Sequence, residues 1–177
     1  MVTLHQALPT DKNLSQIINL YESAFPWCER RATSDFVICL TEVKEFSCFS
    51  VMYENAFAGF ITVWDLNDFF YIEHFAISEN LRGKKIGSVV LKQILSDLRK
   101  PVILEVEPPT DVQSNRRIDF YEKNGFLMDN HLYRQPSYHG DEAMIPLRLM
   151  EFGGTLLSTR FEHIKKMIYL RIYNVIN

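Results

Sequence analysis

The segment Phe70-Tyr-Ile-Glu-His-Phe-Ala-Ile77, followed by Ser78-Glu-Asn-Leu-Arg-Gly-Lys-Lys-Ile-Gly-Ser88, decides the fold of this chain. Its first part is apolar, aromatic and β-branched, which is typical of a largely buried strand. After a short polar turn, apolar residues recur at helical spacing from Ile86 to Leu98. The sequence therefore predicts a strand, a glycine-containing basic loop and a helix in succession.

The loop between this strand and this helix has the features of a phosphate-binding loop. The first N–H groups of a helix have no partner within the helix, and the helix dipole places partial positive charge there. Gly83 and Gly87 allow the backbone to approach a ligand closely, while Arg82, Lys84 and Lys85 add full positive charge. The alternative is a solvated basic loop that binds nothing, because short glycine motifs have low specificity.

Two motifs resemble those of the GNAT superfamily, the CoA-dependent N-acyltransferases. The loop is similar to the family's acyl-CoA pyrophosphate loop, Gln/Arg-x-x-Gly-x-Gly/Ala, except that Lys85 occupies the position of the middle glycine. The segment Arg116-Arg-Ile-Asp-Phe-Tyr-Glu-Lys-Asn-Gly-Phe126 resembles the Phe-Tyr-Glu-x-x-Gly-Phe segment that closes the family's core. The resemblance runs from the N-terminus to about Phe126. It implies an α/β (α+β) GNAT fold, with a mixed central sheet that is splayed between strands 4 and 5 and flanked by helices.

Periodicity and turn residues predict the other elements. Strand 4 is expected at about 69–77 and strand 5 at 101–107, and Glu54-Asn55 is expected to turn an earlier hairpin. Thr110 or Asp111 is expected to cap the helix that follows strand 5. Two last strands are predicted at 126–133 and 143–151, and an extra C-terminal helix is predicted to begin with a capping box at Thr159. We expect a GNAT domain over 1–153 and a helical extension over 154–177, packed on the domain or on a second subunit.

Composition excludes several classes of function. The chain has 177 residues and a net charge of −3, without a large basic cluster, which argues against a nucleic-acid-binding protein. No apolar run could span a bilayer and no signal sequence is evident, so we expect a cytoplasmic protein with no membrane partner. Cys28, Cys39 and Cys48 show no CxxC spacing, which predicts neither a disulfide framework nor a metal site. We expect all three cysteines to be buried.

The resemblance implies an enzyme that transfers the acetyl group of acetyl-CoA to a primary amine by direct attack, without a metal. The acceptor would be a small-molecule or peptide amine, and the enzyme would be a monomer or a homodimer. The backbone near Phe75, Ala76 and Ile77 would pair with the pantetheine arm of the cofactor. The family often has an asparagine that contacts CoA seven residues before its catalytic tyrosine, and Ser114 holds that position here. Together with the loop, the further candidate cofactor contacts are Arg82, Gly83, Lys84, Lys85, Ile86, Gly87, Ser88 and Ser114.

The resemblance also implies three catalytic candidates. Tyr121 matches the tyrosine that protonates the departing CoA thiolate, with a core tyrosine on an amphipathic helix as the alternative. Glu105 matches the position of the general base and Glu73 is its rival, unless either one is a strand residue that faces solvent. His74 is expected to point away from Glu73 and to be packed in the core. The second hypothesis for the whole chain is a non-catalytic acyl-CoA-binding sensor or interaction module with a degenerate GNAT fold.

Overall fold

The computed structural model describes residues 1–141 and 143–175, which form two compact units. The first unit contains Met1–Asp65 and Ile72–Asp97, and the second contains Leu66–Tyr71 and the chain from Leu98 onward. None of the helices in these residues is long and apolar enough to cross a membrane.

The first unit is built from antiparallel strands and three helices: β1 (Val2–Gln6), α1 (Leu14–Ala24), α2 (Thr33–Glu42), β2 (Phe46–Tyr53), β3 (Ala56–Asp65), most of β4 (Phe70–Ile77) and α3 (Ile86–Asp97). Strand β2 pairs with β1 on one side and with β3 on the other. Glu54 and Asn55, between β2 and β3, have φ angles of 53° and 64°. Positive φ at both central residues is what a two-residue type I′ turn requires, so the predicted hairpin is confirmed.

Strand β3 and the end of β4 approach each other closely at Gly59. A Cβ atom at this position would lie 2.2 Å from the carbonyl oxygen of Ala76, so only glycine fits there. The amide of Ser78 also donates to the carbonyl of Ala58 at 2.8 Å. These contacts fix the last residues of β4, directly before the basic loop.

The second unit gathers its elements around a long strand: β5 (Val102–Val106), α4 (Val112–Lys123), β6 (Leu127–Met128), β7 (Tyr133–Pro136), β8 (Met144–Phe152) and α5 (Leu156–Ile172). Strand β8 pairs antiparallel with β5, β6 and β7. Asp111 caps α4, because its carboxylate accepts a hydrogen bond from the Ser114 amide at 2.8 Å. Of the two predicted caps, Asp111 is therefore the one that is confirmed.

All strands belong to one mixed sheet in the order β1-β2-β3-β4-β5-β8-β6, with β7 paired to β8. The parallel pair is β4 and β5, and the amide of Phe70 donates to the carbonyl of Pro101 at 2.8 Å. This mixed sheet flanked by five helices is the predicted fold class.

The prediction of one strand over 126–133 is wrong. Strand β6 ends at Met128, because the Asp129 side chain accepts a hydrogen bond from the His131 amide at 2.9 Å and turns the chain. The Arg148 guanidinium then holds the turn through the carbonyls of Asn130 and His131, at 3.1 Å each. Pairing with β8 resumes at Tyr133, the last residue of the predicted strand, and continues to Pro136.

The C-terminal helical segment begins before the predicted start at Thr159, although the non-helical Arg160 divides it next to that position. Helix α5 begins at Leu156, because the buried Glu151 carboxylate of β8 accepts hydrogen bonds from the amides of Leu156 and Leu157 at 2.8 and 2.9 Å. Arg160 has non-helical backbone angles and kinks the helix. Helix α5 packs on β7 and β8 with four apolar side chains at helical spacing buried: Phe161, Ile164, Ile168 and Ile172. The domain boundary after residue 153 stays a prediction.

Candidate functional site

The basic loop lies between the end of β4 and the start of α3, as predicted. Residues 82–85 are exposed, and the Arg82 Nε atom donates to the carbonyl of Ile77 at 3.4 Å. Helix α3 begins at Ile86, so Gly87 and Ser88 belong to its first turn. The start of a helix is the arrangement that binds anions, because the first amides of a helix point along its axis and the helix dipole places partial positive charge there.

Lys85 has the backbone conformation that its family pattern assigns to glycine. Its φ angle is +62°, and Gly83 has a φ of +79°. The left-handed conformation costs a residue other than glycine about 1–2 kcal/mol. The loop therefore follows the path of a glycine loop even though a lysine occupies the middle position. Lys84 lies beside it, with Nζ 5.8 Å from the centre of the Tyr53 ring.

Glu73 of β4 is held in a buried ion pair. Arg31 donates through Nη2 to one carboxylate oxygen, and Trp64 Nε1 donates to the other at 2.7 Å. The side chains of Glu73 and Arg31 are 1% and 9% exposed. Burial alone would raise the pKa of Glu73, but Arg31, His74 and the two hydrogen bonds outweigh it and keep this pKa below its ordinary value. A carboxylate stabilised in this way has little tendency to accept a proton.

His74 is a packed core histidine, as predicted. Its ring contacts the rings of Tyr21 and Phe25 edge-on, at centroid distances of 4.9 and 4.6 Å. Burial is the main cause that lowers the pKa of His74, which favours the neutral ring. The expectation that His74 points away from Glu73 is wrong, since its Nδ1 atom lies 3.8 Å from the Glu73 carboxylate.

Glu105 of β5 is surrounded by tyrosine hydroxyls. The Tyr133 hydroxyl donates to one carboxylate oxygen, and the Tyr173 hydroxyl donates to the other at 2.8 Å. Burial, followed by the charge of Glu105, raises the pKa of both tyrosines well above the ordinary value, so both remain protonated donors. Sequence reasoning missed these two tyrosines. No local motif connects Tyr173 to a glutamate that lies 68 positions earlier.

Tyr121 lies on α4, packed against the Phe126 ring at a centroid distance of 5.5 Å and only 8% exposed. Burial raises the pKa of Tyr121 to about 12, with a small opposite effect of Arg117. Among residues 1–141 and 143–175, its hydroxyl has no hydrogen-bond partner. Tyr121 therefore carries a protonated donor that the fold does not use.

Ser114 has a structural role in α4. Its hydroxyl accepts hydrogen bonds from the amides of Asp111 and Thr110, at 3.0 and 3.2 Å, and the residue is 2% exposed. Its predicted contact with the cofactor stays a prediction, as do those of Phe75, Ala76 and Ile77 at the end of β4.

Within the described ranges, His, Cys, Asp and Glu side chains form no group of three or more that could hold a metal ion.

Cys28 is exposed, so the expectation that all three cysteines are buried is wrong for this one. It lies in a short turn of 3-10 helix, Trp27–Glu29, that has no buried residue.

The predicted site residues are divided between the two units. The first unit contains Glu73, residues 75–77 and the basic loop, and the second contains Glu105, Ser114 and Tyr121.

We expect the substitution Glu73→Gln to destabilise the fold by about 3 kcal/mol at pH 7, because it leaves the Arg31 charge buried without its counterion. The folded-state pKa of Glu73 lies below 4.5, so its contribution to stability is complete above about pH 4.5 and is lost as pH falls through the folded pKa. Urea unfolding at pH 7 and pH 4 measures both effects. Glu107→Gln is the matched control, because the pair of Glu107 with Arg117 is more than a third exposed and contributes less than about 1 kcal/mol. Equal losses in the two variants would contradict this account.

Known proteins share this fold. The sequence model of the Acetyltransferase (GNAT) family matches residues 14–126. A protein from Bacteroides thetaiotaomicron assigned to the GNAT family has a TM-score of 0.93 and 28% identity, over 98% of this chain and 99% of that one. A search of curated proteins gives no match.

Two more distant structures show the same fold. A variant of the spermidine N-acetyltransferase SpeG from Vibrio cholerae has a TM-score of 0.63 and 16% identity, over 90% of this chain and 98% of that one. Naa50 from Arabidopsis thaliana, solved with the bisubstrate analogue CoA-Ac-MVNAL, has a TM-score of 0.62 and 20% identity, over 86% of this chain and 99% of that one. The family model covers more than half of the sequence, and the chain belongs to the GNAT family of acetyltransferases.

Proposed function

We propose that this chain transfers the acetyl group of acetyl-CoA to a primary amine by direct attack. The observation that carries the proposal is the Tyr121 hydroxyl, which stays protonated and has no partner among the described residues. Packing alone would be served equally well by phenylalanine, because the hydroxyl makes no hydrogen bond with the described residues. A group that protonates a leaving thiolate needs these two properties.

In the proposed reaction, the neutral amine nitrogen attacks the thioester carbonyl carbon. The amine proton passes to a carboxylate, and the carbon–sulfur bond breaks as the amide forms. The thiolate takes its proton from Tyr121, and the tyrosine later recovers a proton from the carboxylate or from water. Acetyl-CoA and the amine become the N-acetylated amine and free CoA, so atoms and charges balance.

We assign the proton-accepting role to Glu105 and not to Glu73. Glu73 is neutralised by Arg31, and its pKa is lowered. Glu105 is partly exposed, and the hydrogen bonds described for it come from neutral phenols. A hydrogen bond from a neutral phenol lowers the tendency of a carboxylate to accept a proton less than an ion pair with a guanidinium does.

The basic loop fits the CoA pyrophosphate, because it combines positive charge, glycine-type backbone angles and the start of a helix. In the proposal, Arg82, Lys84 and Lys85 attract the phosphates electrostatically. Gly83 and the first turn of α3, with Ile86, Gly87 and Ser88, supply backbone donors. The backbone of 75–77 would pair with the pantetheine arm.

We propose a small amine or a peptide amine as the acceptor. SpeG from Vibrio cholerae is named for spermidine, and Naa50 was solved with an analogue that joins CoA to a second substrate. Both are consistent with an amine acceptor for this chain. A cytoplasmic location also remains part of the proposal.

The direct test combines a thiol-release assay with Tyr121→Phe. We expect the native chain to release free CoA from acetyl-CoA when a panel of small and peptide amines is supplied. The variant should turn over about 10²–10⁴-fold more slowly, which is the usual effect of a positioned proton donor. Its melting temperature should not fall, because the lost hydroxyl has no partner in the described structure.

Tyr53→Phe is the control, since it removes an exposed phenol hydroxyl and should leave turnover unchanged. A fully active Tyr121→Phe protein would remove this tyrosine from the mechanism. Binding of acetyl-CoA without thiol release for any amine would favour the non-catalytic sensor instead.

Two substitutions of Lys85 distinguish the effect of its charge from the effect of its backbone strain. Lys85→Gly and Lys85→Ala both remove the charge, so each should weaken CoA binding by on the order of 1 kcal/mol in calorimetric titration. Only the glycine variant relieves the left-handed backbone, so it should be more stable than the alanine variant by about 1 kcal/mol. Native affinity in both variants would contradict the role of Lys85 in phosphate binding.

A further inference from the structure

We propose that Tyr133 and Tyr173 are positioning residues that hold the Glu105 carboxylate ionised and oriented for proton transfer, so that the end of helix α5 is part of the active site. The proposal rests on the function proposed above for Glu105. It extends the site beyond residues 14–126, the segment that the family model matches.

The two hydroxyls come from different elements and act on different oxygens of Glu105. Tyr133 belongs to β7, and Tyr173 directly follows the last residue of α5. Because each oxygen accepts one phenol hydrogen bond, rotation of the carboxylate is restricted.

The register of the strands explains how Tyr133 reaches Glu105. Glu105 lies opposite Leu149 of β8, and Tyr133 lies opposite Leu147 of the same strand. Positions two apart on a strand point to the same face of the sheet. Tyr133 on β7 and Glu105 on β5 therefore lie on the same face of the sheet, and β8 pairs with both of these strands.

Helix α5 is fixed to this same face at both ends. The carboxylate of Glu151 accepts hydrogen bonds from the first amides of the helix. Glu151 lies opposite Ile103, which is two positions before Glu105 on β5. At the other end, the hydroxyl of Tyr173 binds the Glu105 carboxylate. A helix anchored at both ends can deliver its last hydroxyl with little freedom of movement.

Three further tyrosines face this group from the neighbouring elements. The Tyr71 hydroxyl of β4 lies 3.5 Å from that of Tyr173, and the Tyr138 ring packs against the Tyr173 ring at a centroid distance of 4.7 Å. Tyr169, one turn earlier on α5, donates its hydroxyl to the carbonyl of Arg134. The pKa of Tyr169 is raised by burial and then by the charges of Glu105 and Glu162, with Arg134 acting in the opposite direction. The raised pKa keeps the Tyr169 hydroxyl protonated, so it remains a neutral hydrogen-bond donor.

The test uses Tyr173→Phe in the full chain, which keeps the ring and removes one hydrogen bond. A donor to a carboxylate stabilises its ionised form, so its loss should raise the pKa of Glu105 by roughly one unit. Carbon-13 NMR titration of labelled glutamate carboxyl groups measures this pKa directly. In the pH dependence of kcat/KM, the ascending limb should move to higher pH by a similar amount. We expect an unchanged KM for acetyl-CoA, and a kcat at pH 7 that falls because the carboxylate loses one of the two bonds that orient it.

Tyr169→Phe is the matched control, because it removes a hydroxyl from the same helix that binds a backbone carbonyl and not Glu105. It should leave the pKa of Glu105 and the pH profile unchanged. Tyr133→Phe removes the hydrogen bond to the other oxygen of Glu105, so it should raise the pKa of Glu105 as Tyr173→Phe does.

The proposal is overturned if Tyr173→Phe lowers the melting temperature but leaves the pKa of Glu105 unchanged, since the hydroxyl would then be structural. It is also overturned if that pKa rises but kcat and its pH profile stay native. Failure of the proposed function gives a different result, in which the native chain acetylates no amine. The NMR titration still reports the hydrogen bonds in that case, because it requires no turnover.

Discussion

The desolvation of two glutamates in apolar strands constrains much of the rest of this structure. A carboxylate in such a strand requires partners that offset its loss of hydration. Glu73 obtains them from Arg31 and Trp64, and Glu105 from Tyr133 and Tyr173. The two sets of partners differ in charge: Arg31 is a cation, whereas Tyr133 and Tyr173 are phenols that remain protonated. This difference separates a structural glutamate from a candidate catalytic one.

The partners of the two carboxylates also fix the elements that carry them. Arg31 lies just before α2, and its amide donates to the Tyr21 hydroxyl of α1 at 3.0 Å, so the ion pair ties the α1–α2 connection to β4. Tyr173 connects the end of α5 to β5 in the same manner. Each unit thus has a carboxylate that ties distant elements together through its hydrogen-bond partners. Removing a partner leaves a buried charge, which costs far more than a surface contact.

Features set by neighbours in sequence could be predicted, and features set by distant residues could not. The strand before the loop, the hairpin at Glu54 and the cap at Asp111 depend on local periodicity and turn chemistry, and all three are confirmed. Helix α5 begins earlier than predicted, because its first amides bind a carboxylate on β8 that no local capping rule includes.

The candidate site shows the same division. The resemblance was sufficient to name Tyr121, Glu105 and the loop as candidates, because these residues lie in or near recognisable motifs. It gave no indication of the partners of the two glutamates. Arg31 lies 42 positions from Glu73 and Tyr173 lies 68 positions from Glu105, so only the folded chain brings them together. The chemistry of a carboxylate depends on these partners, and a sequence motif does not contain them.

In the proposed mechanism, Glu105 accepts the proton of the acceptor amine. The single-turnover rate of acetyl transfer by Glu105→Gln tests this role directly, when it is measured at pH 7 with saturating acetyl-CoA and an amine that the native chain acetylates. We expect a rate about 10²–10⁴-fold below that of the native chain, with unchanged acetyl-CoA affinity. A Glu105→Gln protein that transfers acetyl at the native rate would contradict this role.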